Sequence, residues 1–156
     1  MEKEAIKWYL AGIWDGEGTF GIQKGNKYNQ FYGFTGKKWL AYQPHAAITL
    51  CDSSAGEVFK LLEEEFGFAC VARTNRQNPK WRTAHVWALS SQKACDFARA
   101  IEPYLIIKKE RAQILMQWKN KEPGYHTMSD EERKRITDKQ EELYQQMKLL
   151  NKRGNE

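Results

Sequence analysis

The chain has 156 residues, 25 Lys and Arg against 20 Asp and Glu for a net charge of +5, and 41% hydrophobic residues. That length fits one domain, and 7 Phe, 6 Trp and 7 Tyr give it enough apolar volume for a core, which excludes intrinsic disorder over most of the chain. No run approaches the roughly 20 apolar residues of a membrane span, and Met1-Glu2-Lys3-Glu4 is too acidic to open a secretory signal, so no membrane partner is expected.

In chain order, Lys3–Trp14 places Ile6, Tyr9, Leu10 and Ile13 on one helical side. Thr19–Lys24 alternates Phe20 and Ile22 with small or polar residues, and Trp39–Leu50 carries Ala46, Ile48 and Leu50 on one parity, which predicts a hairpin with a long loop. Ser54–Phe66 opens with a Ser54-x-x-Glu57 capping box and stops at Gly67. Ala69–Asn75 and Trp81–Ser90 flank the turn cluster around Pro79 and form a second expected hairpin. Helices follow over Gln92–Ile101 and Lys108–Lys119, and a Ser129-x-x-Glu132 box begins a charged helix to about Leu150, expected to pack loosely on the domain or on a partner. The expected fold class is α+β: an αββαββα core over 1–121, with an antiparallel four-stranded saddle sheet and helices on one face, and an extra C-terminal helix in an extension over 122–156.

Cys51, Cys70 and Cys95 are odd in number and form no CxxC pair, so neither a disulfide framework nor a thiolate zinc site is suggested, and they read as reduced, mostly core thiols. The three histidines lack metal-ligand spacing, and no Ser stands in a GxSxG elbow. Charge is placed unevenly. Thr19–Thr49 and Ala69–Ala94, the two hairpins, hold nine Lys and Arg and no acid. A sheet face without carboxylates suits nucleic acid, whose phosphates Lys and Arg neutralise. On the outward parity stand Gln23, Gln43, His45 and Thr49, facing DNA, with Arg73, Asn75, Arg76 and Arg82 on the second hairpin; Lys24 is a further expected DNA contact, and Lys27, Lys37, Lys38 and Lys80 on loops are suited to phosphates.

The chemistry concentrates in Leu10-Ala-Gly-Ile-Trp-Asp-Gly-Glu-Gly18. Gly12 and Gly16, four apart, bare one side of a helix to close approach by another backbone. Asp15 and Glu17 sit at a helix end where the dipole disfavours negative charge. Two readings stand: the acids bind a divalent cation, or Asp15 caps a turn and Glu17 is solvated. The Gly16-x-Gly18-x-x-Gly21 spacing is not a dinucleotide fingerprint, because it follows a helix and opens a strand.

This nonapeptide resembles the signature of the LAGLIDADG homing endonucleases. Leu10, Ala11, Gly12, Asp15 and Gly18 match it identically, Ile13, Gly16 and Glu17 are ordinary variants, and Trp14 is the bulky departure. The element order and Pro103-Tyr-Leu-Ile-Ile-Lys108, similar to the family's Pro-Tyr/Phe-Leu-x-x-Lys stretch, extend the resemblance along most of the chain.

The resemblance implies a site-specific double-strand DNA endonuclease. Glu17 and the Gly16 carbonyl would bind Mg²⁺, about two or three ions per dimer and partly shared, and Lys108 would stabilise charge at the scissile phosphate. The family's active-site Gln falls at Leu50 or Cys51, so that role is unassigned. One motif and no internal repeat imply a homodimer joined through Ala11, Gly12, Trp14, Asp15 and Gly16, cutting a pseudo-palindromic target to leave short 3′ overhangs. The implied setting is intron-encoded, in the cytoplasm or nucleoid, or in an organelle matrix if the gene is organellar. The alternatives on the same fold are a maturase that binds intron RNA and a non-cleaving DNA-binding protein.

Overall fold

The computed structural model describes residues 2–27, 39–51, 53–68, 73–75, 82–119 and 127–152. Helix α1 (Lys3–Glu17) runs directly into β1 (Gly18–Lys27), which pairs with β2 (Trp39–Leu50). After α2 (Ala55–Phe66) come the three-residue β3 (Arg73–Asn75), β4 (Ala84–Ser90), α3 (Ser91–Ile101), α4 (Lys109–Met116) and α5 (Asp130–Leu150). The sheet is antiparallel with strand order β1-β2-β4-β3: three long strands, and the short β3 at one edge. It leaves β1 as the other edge.

Period-two alternation settles the faces. Phe20, Ile22, Ala46, Ile48, Trp87 and Leu89 are buried toward the helices. The expected outward set stands opposite in register: Gln23 faces Gln43, Gly21 faces His45, and Thr49 faces Val86. Four rings close the core. Trp14 lies 5.3 Å from Phe20, 5.9 Å from Trp87 and 4.7 Å from Phe97, mostly edge-on or tilted, as aromatic quadrupoles prefer.

The helix ends differ in part from their sequence signals. α1 continues to Glu17, three residues past the expected end, so Asp15, Gly16 and Glu17 are helical. Gly18 caps it in an extended conformation, and Trp14 explains why it is glycine: a Cβ there would overlap the Trp14 indole. Ser54 is the N-cap of α2, but its side chain makes no capping hydrogen bond, so the Ser54-x-x-Glu57 box is not formed. The Ser129–Glu132 box is complete.

α5 is not loosely held. Leu143 and Met147 are buried in the core, Glu141 takes hydrogen bonds from Lys24 and Tyr42, and Asn151 Nδ2 donates to the Phe20 carbonyl at 2.9 Å. That last bond satisfies an acceptor on the edge strand, where unpaired backbone would otherwise invite aggregation. Of the thiols, Cys95 is buried, and burial pushes its pKa up to about 12, while Cys51 is exposed, against the core expectation. Cys70 lies outside the described residues.

Candidate active site and nucleic-acid interface

The site forms where α1 ends against the segment leading into α4. Asp15 is buried and accepts three backbone N–H groups: Ile106 at 2.8 Å and Ile107 at 3.1 Å on Oδ2, and Lys108 at 2.8 Å on Oδ1. A carboxylate with three donors is well compensated for its desolvation. Lys108 returns the link, its Nζ donating to the carbonyls of Trp14 at 3.1 Å and Gly18 at 2.5 Å. The ammonium therefore sits at the negative end of α1, offsetting the dipole that two acids there would oppose. Burial pulls the Lys108 pKa below its usual range, Asp15 and Glu17 pull it back up, and Arg111 pushes it down.

Both acids stand as the second reading describes. Asp15 is the turn cap. Glu17 is exposed and makes no hydrogen bond or ion pair among the described residues, beside an exposed Gly16. It is the carboxylate left free at this end of the helix.

The expected interface residues separate in the same way. Ala11 and Trp14 are completely enclosed by this chain's own core, and Asp15 is spent on the α4 approach, so none of these three side chains lies on an open surface. Trp14 turns inward and packs against Phe20, Trp87 and Phe97. Gly12 and Gly16 are exposed, and a Cβ at either would meet no atom within 4 Å. With Tyr9 they lie on one stripe at helical spacing. Tyr9 is 54% exposed, and Ile106 and Ile107, bonded to Asp15, are 81% and 69% exposed.

On the sheet, Gln23 and Thr49 are exposed, and Gln43 and His45 half-buried, on the outward face. The His45 imidazole lies over Gly21, where a Cβ would collide with it, and burial lowers its pKa. Gln43 Nε2 donates to Ser91 Oγ at 3.4 Å. Arg82 is exposed just before β4. Lys24 departs from expectation: it shares the parity of Phe20 and Ile22, and its Nζ is 2.8 Å from Glu141 on the helix side. Lys27 ends β1, and Arg73 and Asn75 lie in β3. Lys37, Lys38, Arg76 and Lys80 lie outside the described residues.

The sequence reading missed Glu141 and Asn151, which fasten α5 to the sheet. Their only signal was a polar residue on the edge of an apolar stripe, which solvated residues share.

No family sequence model and no curated protein matches the chain. Solved structures do. The homing endonuclease I-CvuI, in complex with the I-CreI target in the presence of Mg, is similar over 99% of this chain and 87% of its own, at 12% identity and a TM-score of 0.69. The archaeal intron-encoded homing endonuclease I-Vdi141I complexed with DNA is similar over 98% and 88%, at 17% identity and 0.64. The LAGLIDADG homing endonuclease I-GzeII, also with a DNA target, is similar over 88% of this chain but only 43% of its own, at 17% identity and 0.63. The chain has the fold of the LAGLIDADG homing endonucleases, the group that the nonapeptide and the Pro103–Lys108 stretch resemble.

Proposed function

We propose that two copies of this chain form a Mg²⁺-dependent, site-specific DNA endonuclease that hydrolyses one phosphodiester in each strand of a pseudo-palindromic target. The observation that carries this is the free Glu17 carboxylate, standing beside Lys108 at the end of a helix whose Gly12–Gly16 stripe is open. One copy is half a site. Among the described residues no three acidic, His or Cys groups cluster. A hard cation seeks about six oxygens. Glu17, the Gly16 carbonyl, their counterparts in a second copy, DNA phosphates and water fit that need. When bound, Mg²⁺ supplies an activated water and a counter-charge for the leaving oxygen.

The remaining roles belong to the chain. Lys108 donates two of its three ammonium N–H bonds to the carbonyls of Trp14 and Gly18, which leaves one for a phosphate oxygen as negative charge builds there. Asp15 holds Lys108 in place. Gly12 and Gly16 allow the α1 helices of two copies to meet, and Tyr9, Ile106 and Ile107 supply apolar surface to bury around them. The match to under half of I-GzeII supports a paired assembly. On the outer face, Gln23, Gln43, His45 and Thr49 read base edges, while Arg82 and the loop cations hold phosphates.

The test is incubation of the protein with duplex DNA spanning its host locus, in Mg²⁺ and in Ca²⁺, with the product ends sequenced. Cleavage in Mg²⁺ leaving short 3′ overhangs is expected. Intact DNA under all conditions with tight intron RNA binding overturns the proposal in favour of a maturase.

A further inference from the structure

Asn151 joins three elements through one side chain. It is exposed at the C-terminal cap of α5, and its backbone N–H is held by the carbonyl of buried Met147 at 3.0 Å. Its Nδ2 donates to the Phe20 carbonyl on β1 at 2.9 Å, and its Oδ1 accepts Arg111 Nε from α4 at 2.8 Å. A carbonyl oxygen only accepts and a guanidinium N–H only donates, so both partners demand the same orientation of the amide. A carboxylate of the same shape could satisfy Arg111 but not Phe20. Arg111 Nη2 also donates to the Leu150 carbonyl, which fastens α4 to the last turn of α5 a second time.

Both ends of this bridge lie next to the anchors of Lys108. Phe20 follows closely on Gly18, whose carbonyl accepts Lys108 Nζ, and Arg111 stands one helical turn beyond Lys108, the N-cap of α4. β1 and α4 are thereby tied twice, once by the Lys108 ammonium and once by Asn151. The first tie occupies donors of the group that must also meet a ligand. The second makes no demand on it, so the spacing of β1 and α4 survives when the ammonium shifts toward an anion.

We propose that Asn151 is a positioning residue for Lys108: by bridging β1 to α4 it holds the Gly18 carbonyl and the start of α4 at the separation that keeps the ammonium at the end of α1. The inference rests on the reading of Lys108 as the group that stabilises charge at the scissile phosphate. Asn151 touches no reacting atom and acts only through the two elements it joins. The last turn of α5 is then part of the scaffold of the site, and its contribution is to the rate after DNA is bound rather than to affinity.

The test measures single-turnover cleavage of a host-locus duplex in Mg²⁺ at saturating protein, together with its Kd, for wild type, Asn151→Leu, Asn151→Asp and Glu141→Gln. Asn151→Leu changes no charge and, at an exposed position, opens no cavity in the core. Glu141→Gln loosens α5 at Lys24 and Tyr42 and leaves the bridge untouched. A displaced charge-stabilising group is felt in the rate, so bound DNA should be cut roughly 10-fold or more slowly by Asn151→Leu, with an unchanged Kd. Asn151→Asp, which keeps the acceptor for Arg111 and loses the donor to Phe20, should be slowed as much, because a bridge broken at one end no longer ties β1 to α4. Glu141→Gln should cut at the wild-type rate. A wild-type rate in either Asn151 variant, an equal slowing in Glu141→Gln, or a weakened Kd with an unchanged rate overturns the positioning role and leaves the nuclease reading intact. A wild type that cuts no duplex overturns the nuclease reading and this inference with it.

Discussion

The Asp15 carboxylate accepts the backbone N–H of Lys108 at 2.8 Å, and the Lys108 ammonium donates back to the carbonyl of Trp14, the residue before Asp15. Two segments 93 residues apart are thereby tied by a reciprocal pair of charge-assisted bonds. This fixes Lys108 at the end of α1 that carries Glu17, an ordering completed on folding.

Asp15→Ala should therefore cost stability rather than chemistry alone. It leaves three backbone N–H groups without their acceptor and removes a nearby negative charge that favours the half-buried Lys108 ammonium, a loss of roughly 2–4 kcal/mol from hydrogen bonds to a charged group and stranded donors. Asp15→Asn, which keeps an acceptor oxygen, should lose about half as much. Urea unfolding of the two variants beside wild type measures the difference, and equal stability of all three would contradict the account.

Glycines at three positions of one motif should respond in different ways. Gly18→Ala drives a Cβ into the Trp14 indole and should destabilise the fold by about 1–3 kcal/mol through overpacking. Gly12→Ala and Gly16→Ala meet open space, and within a helix alanine is favoured by roughly 0.5–1 kcal/mol. The folded chain should be as stable or more so, while close approach of a second α1 is blocked. Sedimentation of wild type against Gly12→Ala should show a dimer weakened to monomer with no loss of secondary structure by circular dichroism.

The clasp of α5 on the sheet is sensitive to acid. Lys24, then Tyr42 and Gln145, hydrogen-bond the Glu141 carboxylate and hold its pKa down to about 2. A carboxyl group depressed on folding stabilises the native state fully above its ordinary value of 4.5, and that contribution is lost as pH falls toward 2. The pair is solvent-facing, so the effect is small. Glu141→Gln should flatten the decline of thermal midpoint over that acid range and leave neutral-pH stability slightly lower. An acid limb as steep as that of wild type would speak against the clasp.

Much of this fold was legible because its signals are periodic. The alternation of Phe20 and Ile22, and of Trp87 and Leu89, gave the strand faces, and the Ser129–Glu132 box gave the start of α5. The failures lie where one residue type serves two ends. Lys24 reads as a DNA contact because it is basic and in a hairpin, yet it shares the parity of Phe20 and lies on the helix side. Trp14 stood inside a small-residue motif and was grouped with its neighbours, although a helix turns about 100° per residue and carries adjacent positions to different faces. Asp15 and Glu17 are chemically alike, and only the contact with the Lys108 segment, far away in sequence, tells the cap from the free acid. That information is tertiary and has no local signature.

Glu17→Gln is the substitution on which the central claim turns. The side chain is exposed, so the variant should fold within about 0.5 kcal/mol of wild type and bind the same duplex. The decisive measurement is the cleavage rate of a duplex that both proteins bind equally, in Mg²⁺. The account predicts strand scission by wild type and loss of cleavage of at least 100-fold in Glu17→Gln, about 2.7 kcal/mol of barrier. Scission by Glu17→Gln at the wild-type rate would contradict it.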